Sequence, residues 1–262
     1  EKAAHDINIC ALSGVSDQMG SGDCGPALSN FQVADIAGGA LPAINAILTA
    51  LFHRERTGKG AFLDISMAGS LFASNVLPYA TRETFKRSPE RGGDILTGAL
   101  ACYGYYETSD GGWIAVGALE PQFWERFCNL IDRPDLIPAR LSLDGATKEA
   151  VREIIKSKPK GAWIELLEGT DCCVTPVLTY GEAASQMALT ETNSVVIPDP
   201  IDGDLSQPIN CWNNEGTKPA VRAPRHGEHS RAILLSFGIT ERNINGFVED
   251  GLIAEPEVST AD

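Results

Sequence analysis

The sequence predicts an α/β protein built in two parts, and three observations carry that prediction. An amphipathic helix in the first quarter runs into a short apolar strand and a second helix. A glycine-centred hairpin near the middle opens a separate series of strands and helices. Between them, residues 82–97 have the composition of a linker.

The elements follow in chain order. The polar stretch His5-Asp6-Ile7-Asn8 leads into a Gly-, Ser- and Asp-rich loop from Gly14 to about Ser29. From Asp35 the spacing predicts a helix, because Ile44, Ile47, Leu48, Leu51 and Phe52 fall at i, i+3, i+4, i+7 and i+8, a single apolar stripe at helical period. Arg54 and Arg56 suit the negative end of its dipole, and Gly58-Lys59-Gly60 stops it. Ala61–Ser66 reads as a short buried strand and Met67–Tyr79 as another helix. In the linker, Arg82, Lys86, Arg87 and Arg91 crowd around Pro89 and Gly92-Gly93. Cys102–Thr108 and Trp113–Leu119 flank Asp110-Gly111-Gly112, a strong hairpin signal. Glu120-Pro121 opens a helix to about Ile131, with proline at the favoured first position. Helices at about Lys148–Lys156 and Gly161–Leu167 come next, then an apolar strand, Cys173–Tyr180. Pro198–Pro224 reads as a long extended connection before a final helix pair, about Gly227–Phe237 and Glu241–Asp250.

Composition narrows the partners. The 262 residues are 43% hydrophobic and 21% charged, the mix of a packed globular protein. A formal net charge of −14 argues against a nucleic-acid backbone or an anionic membrane as main partner, while leaving room for a local basic pocket and a phosphorylated ligand. No stretch approaches the ~20 unbroken apolar residues of a membrane span. No basic-then-apolar leader opens the chain, so no secretory signal is expected. The seven cysteines are odd in number and form no C-x-x-C, which indicates neither a disulfide framework nor a zinc ribbon. Reduced thiols and a cytoplasmic location are the expectation. The four histidines are too scattered for a metal cluster, and no metal is expected.

Single motifs decide little. Gly20-x-Gly22-x-x-Gly25 matches the dinucleotide fingerprint, but no β-branched strand precedes it, Pro26 follows it, and no acidic residue stands ~20 positions on. It reads as a plain loop. No G-x-S-x-G elbow, Walker A or H-E-x-x-H occurs. Asp35 at the helix start suits an N-cap, and Ala37-Gly38-Gly39 lets another backbone or a ligand come close. Glu120 repeats the arrangement as a carboxylate at the mouth of a helix, and His5-Asp6 suits a solvated turn.

Together these segments carry more. His5-Asp6-Ile7-Asn8, Ala34-Asp35-Ile36-Ala37-Gly38-Gly39 and Arg56-Thr57-Gly58-Lys59-Gly60 resemble the class III CoA-transferase superfamily. Val116–Phe123 and Thr170–Val177 are similar to its alpha-methylacyl-CoA racemase branch, and Gly227-Glu228-His229 fits the same family. The resemblance runs from His5 to about Leu252, with its segments in order. It implies an α/β fold with a Rossmann-like large domain (1–81 with 191–262), the linker at 82–97, a smaller α/β domain (98–190) and an interlocked homodimer. It also implies that His5, Asp35 and Glu120 are the catalytic groups, that Asp6, Asn30, Gly38 and Gly39 contact the acyl-CoA, and that coenzyme A enters only as part of the substrate.

The chain departs from the family at three points. Family members carry a substantial segment before H-D-I-N, whereas His5 stands almost first here, which implies a fragment or a shortened relative. Ile9 and Phe31 stand where the family commonly has Tyr and Asn, with Asn30 displaced by one. Methionine, frequent in racemase acyl sites, occurs only as Met19, Met67 and Met187.

Racemisation beside a thioester needs one acid/base group on each face of the α-carbon. The resemblance assigns His5, partnered by Glu120, to one face and Asp35 to the other, with backbone N–H groups at helix N-termini as donors to the enolate oxygen. The rival within the family is a CoA-transferase in which Asp35 attacks the thioester. His5 and Glu120, together with the lack of the glycine-rich covering loop (only Gly92-Gly93, Gly98 and Gly104 stand there), favour the racemase. A third reading is a truncated, non-catalytic scaffold.

Overall fold

The computed structural model describes residues 3–188, 194–199, 203–208 and 221–255. They form a mixed α/β structure in two compact units, Glu1–Val177 and Leu178–Asp262.

The first unit begins with two short helices, α1 (Asp6–Leu12) and α2 (Val15–Gln18), neither of which stood out in the sequence. The predicted long helix is present as α3 (Leu41–Thr57), entered through one stretch of π-helix at Ala34–Ala40. Gly58 ends it, its N–H donating to the Arg54 carbonyl at 2.8 Å. The apolar stripe exists as read, but Ile44, Ile47, Leu48, Leu51 and Phe52 are exposed. The run Ala34–Thr57 has a mean hydropathy of 1.5, is only 6% buried, and is long and apolar enough to cross a membrane by length and composition. It is not the unbroken apolar run that a sequence reading asks for, because Asn45 and Thr49 interrupt it, whereas average hydropathy tolerates them.

Ala61–Ser66 is not a strand. It runs unpaired, with Phe62 94% exposed; an extended segment becomes a strand only beside another edge, and no described strand lies along it. The predicted Met67–Tyr79 helix is two helices, α4 (Met67–Ser74) and α5 (Val76–Phe85), parted at Asn75, which leaves the helical region at φ −84°, ψ 61°. Helix α5 therefore takes in the first residues of the expected linker.

The hairpin forms as predicted, with β1 (Tyr103–Glu107) antiparallel to β2 (Trp113–Gly117). The apolar strand shortens to β3 (Val174–Pro176) and pairs with β2, completing a three-stranded sheet in the order β1-β2-β3. Helices α6 (Pro121–Leu130), α7 (Ala146–Lys156) and α8 (Lys160–Leu167) match the readings closely, and a 3₁₀ turn at Pro134–Ala139 was not foreseen. One sheet face and these helices enclose the main core around Tyr106, Ile114, Val116, Trp124, Phe127, Val151, Ile155 and Trp163. Each large apolar side chain buried there contributes roughly 1.5–3 kcal/mol. The buried aromatic polar groups are satisfied: Trp124 Nε1–H donates to the Leu136 carbonyl (3.0 Å), Trp163 Nε1–H to Ile155 (2.9 Å), and Tyr106 O–H to Ala101 (2.7 Å).

The second unit holds α9 (Tyr180–Ala188), an antiparallel pair β4 (Ser194–Ile197) and β5 (Leu205–Pro208), and the helix pair α10 (Ser230–Ser236) and α11 (Glu241–Glu249). The extended connection expected at 198–224 lies largely outside the described residues, but its Leu205–Pro208 is strand β5.

Candidate active site

The site is assembled around one carboxylate. Asp6 stands in the first turn of α1, and its Oδ1 accepts the backbone N–H of Ala34 at 2.6 Å and of Asp35 at 3.0 Å. A charged acceptor at the start of a helix meets the unpaired N–H groups and the positive end of the dipole. Asp35 is thus not the cap that its position suggested: it lies inside the π-helical stretch, and Asp6, 29 residues away in the chain, supplies the capping oxygen. Single-turn π-helices recur at functional sites, where they re-aim a side chain within an otherwise regular helix.

Beneath this junction lies a small second core of Cys10, Ala34 and Leu71. Cys10 Sγ sits 3.7 Å from Asp6 Oδ2 and donates its S–H there. Burial, with the Asp6 charge beside it, pushes the Cys10 thiol above its ordinary value, so it remains a neutral donor. Gly38 is buried against α4, where a Cβ would stand 2.7 Å from the Met67 carbonyl. Of the two uses foreseen for the glycine pair, Gly38 serves the approach of another backbone. Gly39 is half-buried against the Met67 side chain.

His5 is the residue before α1 and is exposed. Its N–H donates to Asn8 Oδ1 at 3.0 Å, and its carbonyl accepts from Asn8 and Ile9. Its neighbour Asp6 accepts the backbone N–H of Asp35. Asn30 is exposed on the loop entering the π-helix, its carbonyl accepting from Gln32 Nε2 at 3.2 Å. Glu120 begins α6, with its carbonyl accepting from Phe123 and Trp124, both at 3.1 Å, and its carboxylate exposed. Among the described residues, no hydrogen bond or ion pair joins Glu120 to His5 or Asp35. The structure therefore ties α1, which His5 precedes and Asp6 opens, to the start of the π-helix that carries Asp35 and Gly38, and sets Glu120 just beyond the end of the central strand β2.

A profile of CoA-transferase family III matches residues 1–230, nearly nine tenths of the chain. The chain belongs to CoA-transferase family III. Among characterised family members, the alpha-methylacyl-CoA racemase of Homo sapiens is 34% identical over 263 residues, covering 99% of this chain and 69% of the human protein. That of Mus musculus is 32% identical, covering 96% and 67%. The succinyl-CoA:glutarate CoA-transferase of Mus musculus is 25% identical, covering 89% and 55%. Among solved structures, Rv3272 from Mycobacterium tuberculosis superposes with a TM-score of 0.68 at 21% identity, covering 88% of this chain and 63% of that one. A CAIB/BAIF family protein from Brucella suis superposes at 0.64 with 22% identity, covering 90% and 63%. The chain thus spans about two thirds of the racemases' length and somewhat less of the solved family structures.

The capping role of Asp6 was missed by sequence reasoning, which gave it a substrate contact only. An aspartate in one helix bonding the start of another 28 residues later leaves no periodic signal.

Proposed function

We propose that the protein is an alpha-methylacyl-CoA racemase-type isomerase, which inverts the α-carbon of 2-methylacyl-CoA thioesters by two-base proton transfer. The observation that carries this reading is the Asp6 bridge, which ties the start of α1, next to His5, to the backbone of Asp35. The greater identity to racemases than to the transferase above points the same way.

In this reading one base takes the α-proton as the C–H bond breaks, the thioester carbonyl becomes an enolate, and the acid on the opposite face returns a proton to carbon. The thioester itself stays intact. His5 acts on one face with Glu120, and Asp35 on the other. The enolate oxygen needs fixed donors. The Ala34 and Asp35 N–H groups are already committed to Asp6, so the Asp6 and Ile7 amides opening α1 are the better candidates. Asn30 and Gly39 border the substrate. The protein works without metal or redox cofactor, in the cytoplasm, with a Rossmann-like large domain and as an interlocked homodimer.

Deuterium wash-in tests it. In deuterated water the protein should place deuterium at the α-carbon of a chiral 2-methylacyl-CoA. Transfer of CoA to an added carboxylate without α-exchange would instead establish the transferase chemistry with Asp35 as nucleophile.

A further inference from the structure

We propose that Arg140 is a positioning residue for Glu120, holding the peptide from which the Glu120 carboxylate projects. This rests on the catalytic assignment of Glu120 proposed above and adds the group that fixes its direction.

Glu120 needs such a group because its own side chain is unsupported. Its carboxylate is exposed, and among the described residues no hydrogen bond or ion pair reaches it. Its place is therefore set by the backbone alone.

That backbone passes from strand to helix within three residues. The Gly117 N–H, at the end of β2, donates to the Cys173 carbonyl at 2.9 Å. The Leu119 N–H then turns back onto the Gly117 carbonyl, also at 2.9 Å, a three-residue turn. The Glu120 carbonyl already belongs to α6, accepting from Phe123 and Trp124. One group, the Leu119 carbonyl, falls between strand and helix, and neither gives it a partner. Arg140 does so: its Nη1–H donates there across 21 residues of chain. The Leu119 carbonyl and the Glu120 N–H share one rigid peptide plane. Fixing that plane fixes the direction in which Glu120 leaves the backbone.

Arg140 is itself held in place beforehand. It follows the 3₁₀ turn Pro134–Ala139, whose Leu136 carbonyl takes the Trp124 Nε1–H at 3.0 Å. The Cys102 S–H donates to the carbonyl of Arg140 at 3.3 Å. Burial pushes the Cys102 thiol up, so it keeps the proton that it donates. Two bonds thus brace this turn against the start of α6, Trp124 to Leu136 and Arg140 to Leu119.

The choice of arginine fits that task. A charged donor bonds a carbonyl more strongly than a neutral one. Arg133, at the other end of the same turn, is taken up by Asp135 at 2.8 and 2.7 Å. Arg140 has no carboxylate partner among the described residues. Its guanidinium is committed to the backbone beside Glu120 instead. A displacement of about 1 Å at a reacting group can cost roughly 10²-fold in rate, which is the scale on which such a brace acts.

Two measurements on the 262-residue chain test this: α-deuterium exchange on a chiral 2-methylacyl-CoA, and the ¹⁵N order parameter of the Glu120 amide. Arg140→Met keeps the stem and removes the donor. It should lower kcat at least tenfold and leave KM within threefold, the pattern of a lost transition-state interaction and not of lost substrate binding. The order parameter should fall from about 0.85, a rigid amide, toward about 0.6. Arg140→Lys restores a charged donor and should recover most of both. Arg133→Met removes a cation from the same turn and should leave both readouts unchanged. Arg140→Gln replaces Arg140→Met if circular dichroism shows loss of fold. Wild-type kcat in Arg140→Met, or no recovery in Arg140→Lys, overturns the proposal. If the unmodified chain exchanges no α-hydrogen, the catalytic reading falls. A lower Glu120 order parameter in Arg140→Met then still supports the brace, and an unchanged one overturns it.

Discussion

Asp6 Oδ1 accepts the backbone N–H of Asp35 at 3.0 Å, across 29 residues of chain. With the Ala34 bond at 2.6 Å, this fixes the backbone of the first turn of the π-helix, from which Asp35 projects. Asp6→Ala leaves two helix N–H groups without their charged acceptor and should cost about 2 kcal/mol. Asp6→Asn keeps an oxygen there and should recover part of that loss. Thermal melts read the stability and α-deuterium exchange reads the site; a Tm unchanged in Asp6→Ala would refute the bridging role.

Asp35→Asn should abolish or strongly reduce α-exchange. His5→Ala should slow exchange from one enantiomer more than from the other, because each base serves one face. Loss of a positioned acid or base typically costs 10²–10⁴-fold. Equal slowing from both enantiomers in His5→Ala would remove the two-base assignment.

Gly38→Ala tests the junction of the π-helix with α4. The added Cβ would stand 2.7 Å from the Met67 carbonyl and 3.2 Å from Leu71 Cβ, and backbone yields less easily than a flexible side chain. Overpacking of this kind costs about 1–3 kcal/mol. Chemical denaturation should show a lower midpoint, and Gly39→Ala, whose contacts are side-chain atoms of Met67 at 3.4 and 3.5 Å, should cost less.

In the main core, Trp124→Ala removes a fully buried indole and its bond to Leu136. A loss of about 3–5 kcal/mol is expected, a large part of the 5–15 kcal/mol by which domains are typically stable. Trp124→Phe keeps most of the volume and should cost much less by the same denaturation measurement.

The second unit carries a pH-sensitive contact. The Arg222 guanidinium, assisted by the Arg225 backbone N–H, holds the Glu228 carboxyl at about 2, below its ordinary 4.5. A carboxylate whose value is lowered on folding contributes stability that is fully present above 4.5 and is lost as pH falls toward 2. The Tm gap between wild type and Glu228→Gln should therefore be widest near neutrality and close as pH falls from 4.5 toward 2. A gap that is constant over that range would show that the charge is not what matters.

Much of this architecture was legible in the residues. Asp110-Gly111-Gly112 announced the hairpin because tight turns need those residue types, and Pro121 announced the start of α6 because only a first-turn position tolerates it. The stripe Ile44 to Phe52 announced α3 by its period. The break at Asn75 was not legible, since nothing in the local pattern opposes a continuous helix. Nor was the failure of Ala61–Ser66 to form a strand, because strand formation depends on a neighbour that local sequence does not specify.

The sequence by itself determined the periodic elements, which depend on residue type at fixed spacing along the chain, and the family, whose resemblance nominated the candidate catalytic trio. Only the tertiary structure decided which groups meet. It placed Asp6 beneath Asp35, seated Gly38 against Met67, left the α3 stripe exposed, and brought Arg140 to the Leu119 carbonyl 21 residues earlier. The reason is physical: propensity and periodicity act within a few residues, whereas capping, close packing and bracing bonds join backbone and side chains brought together only when the core closes.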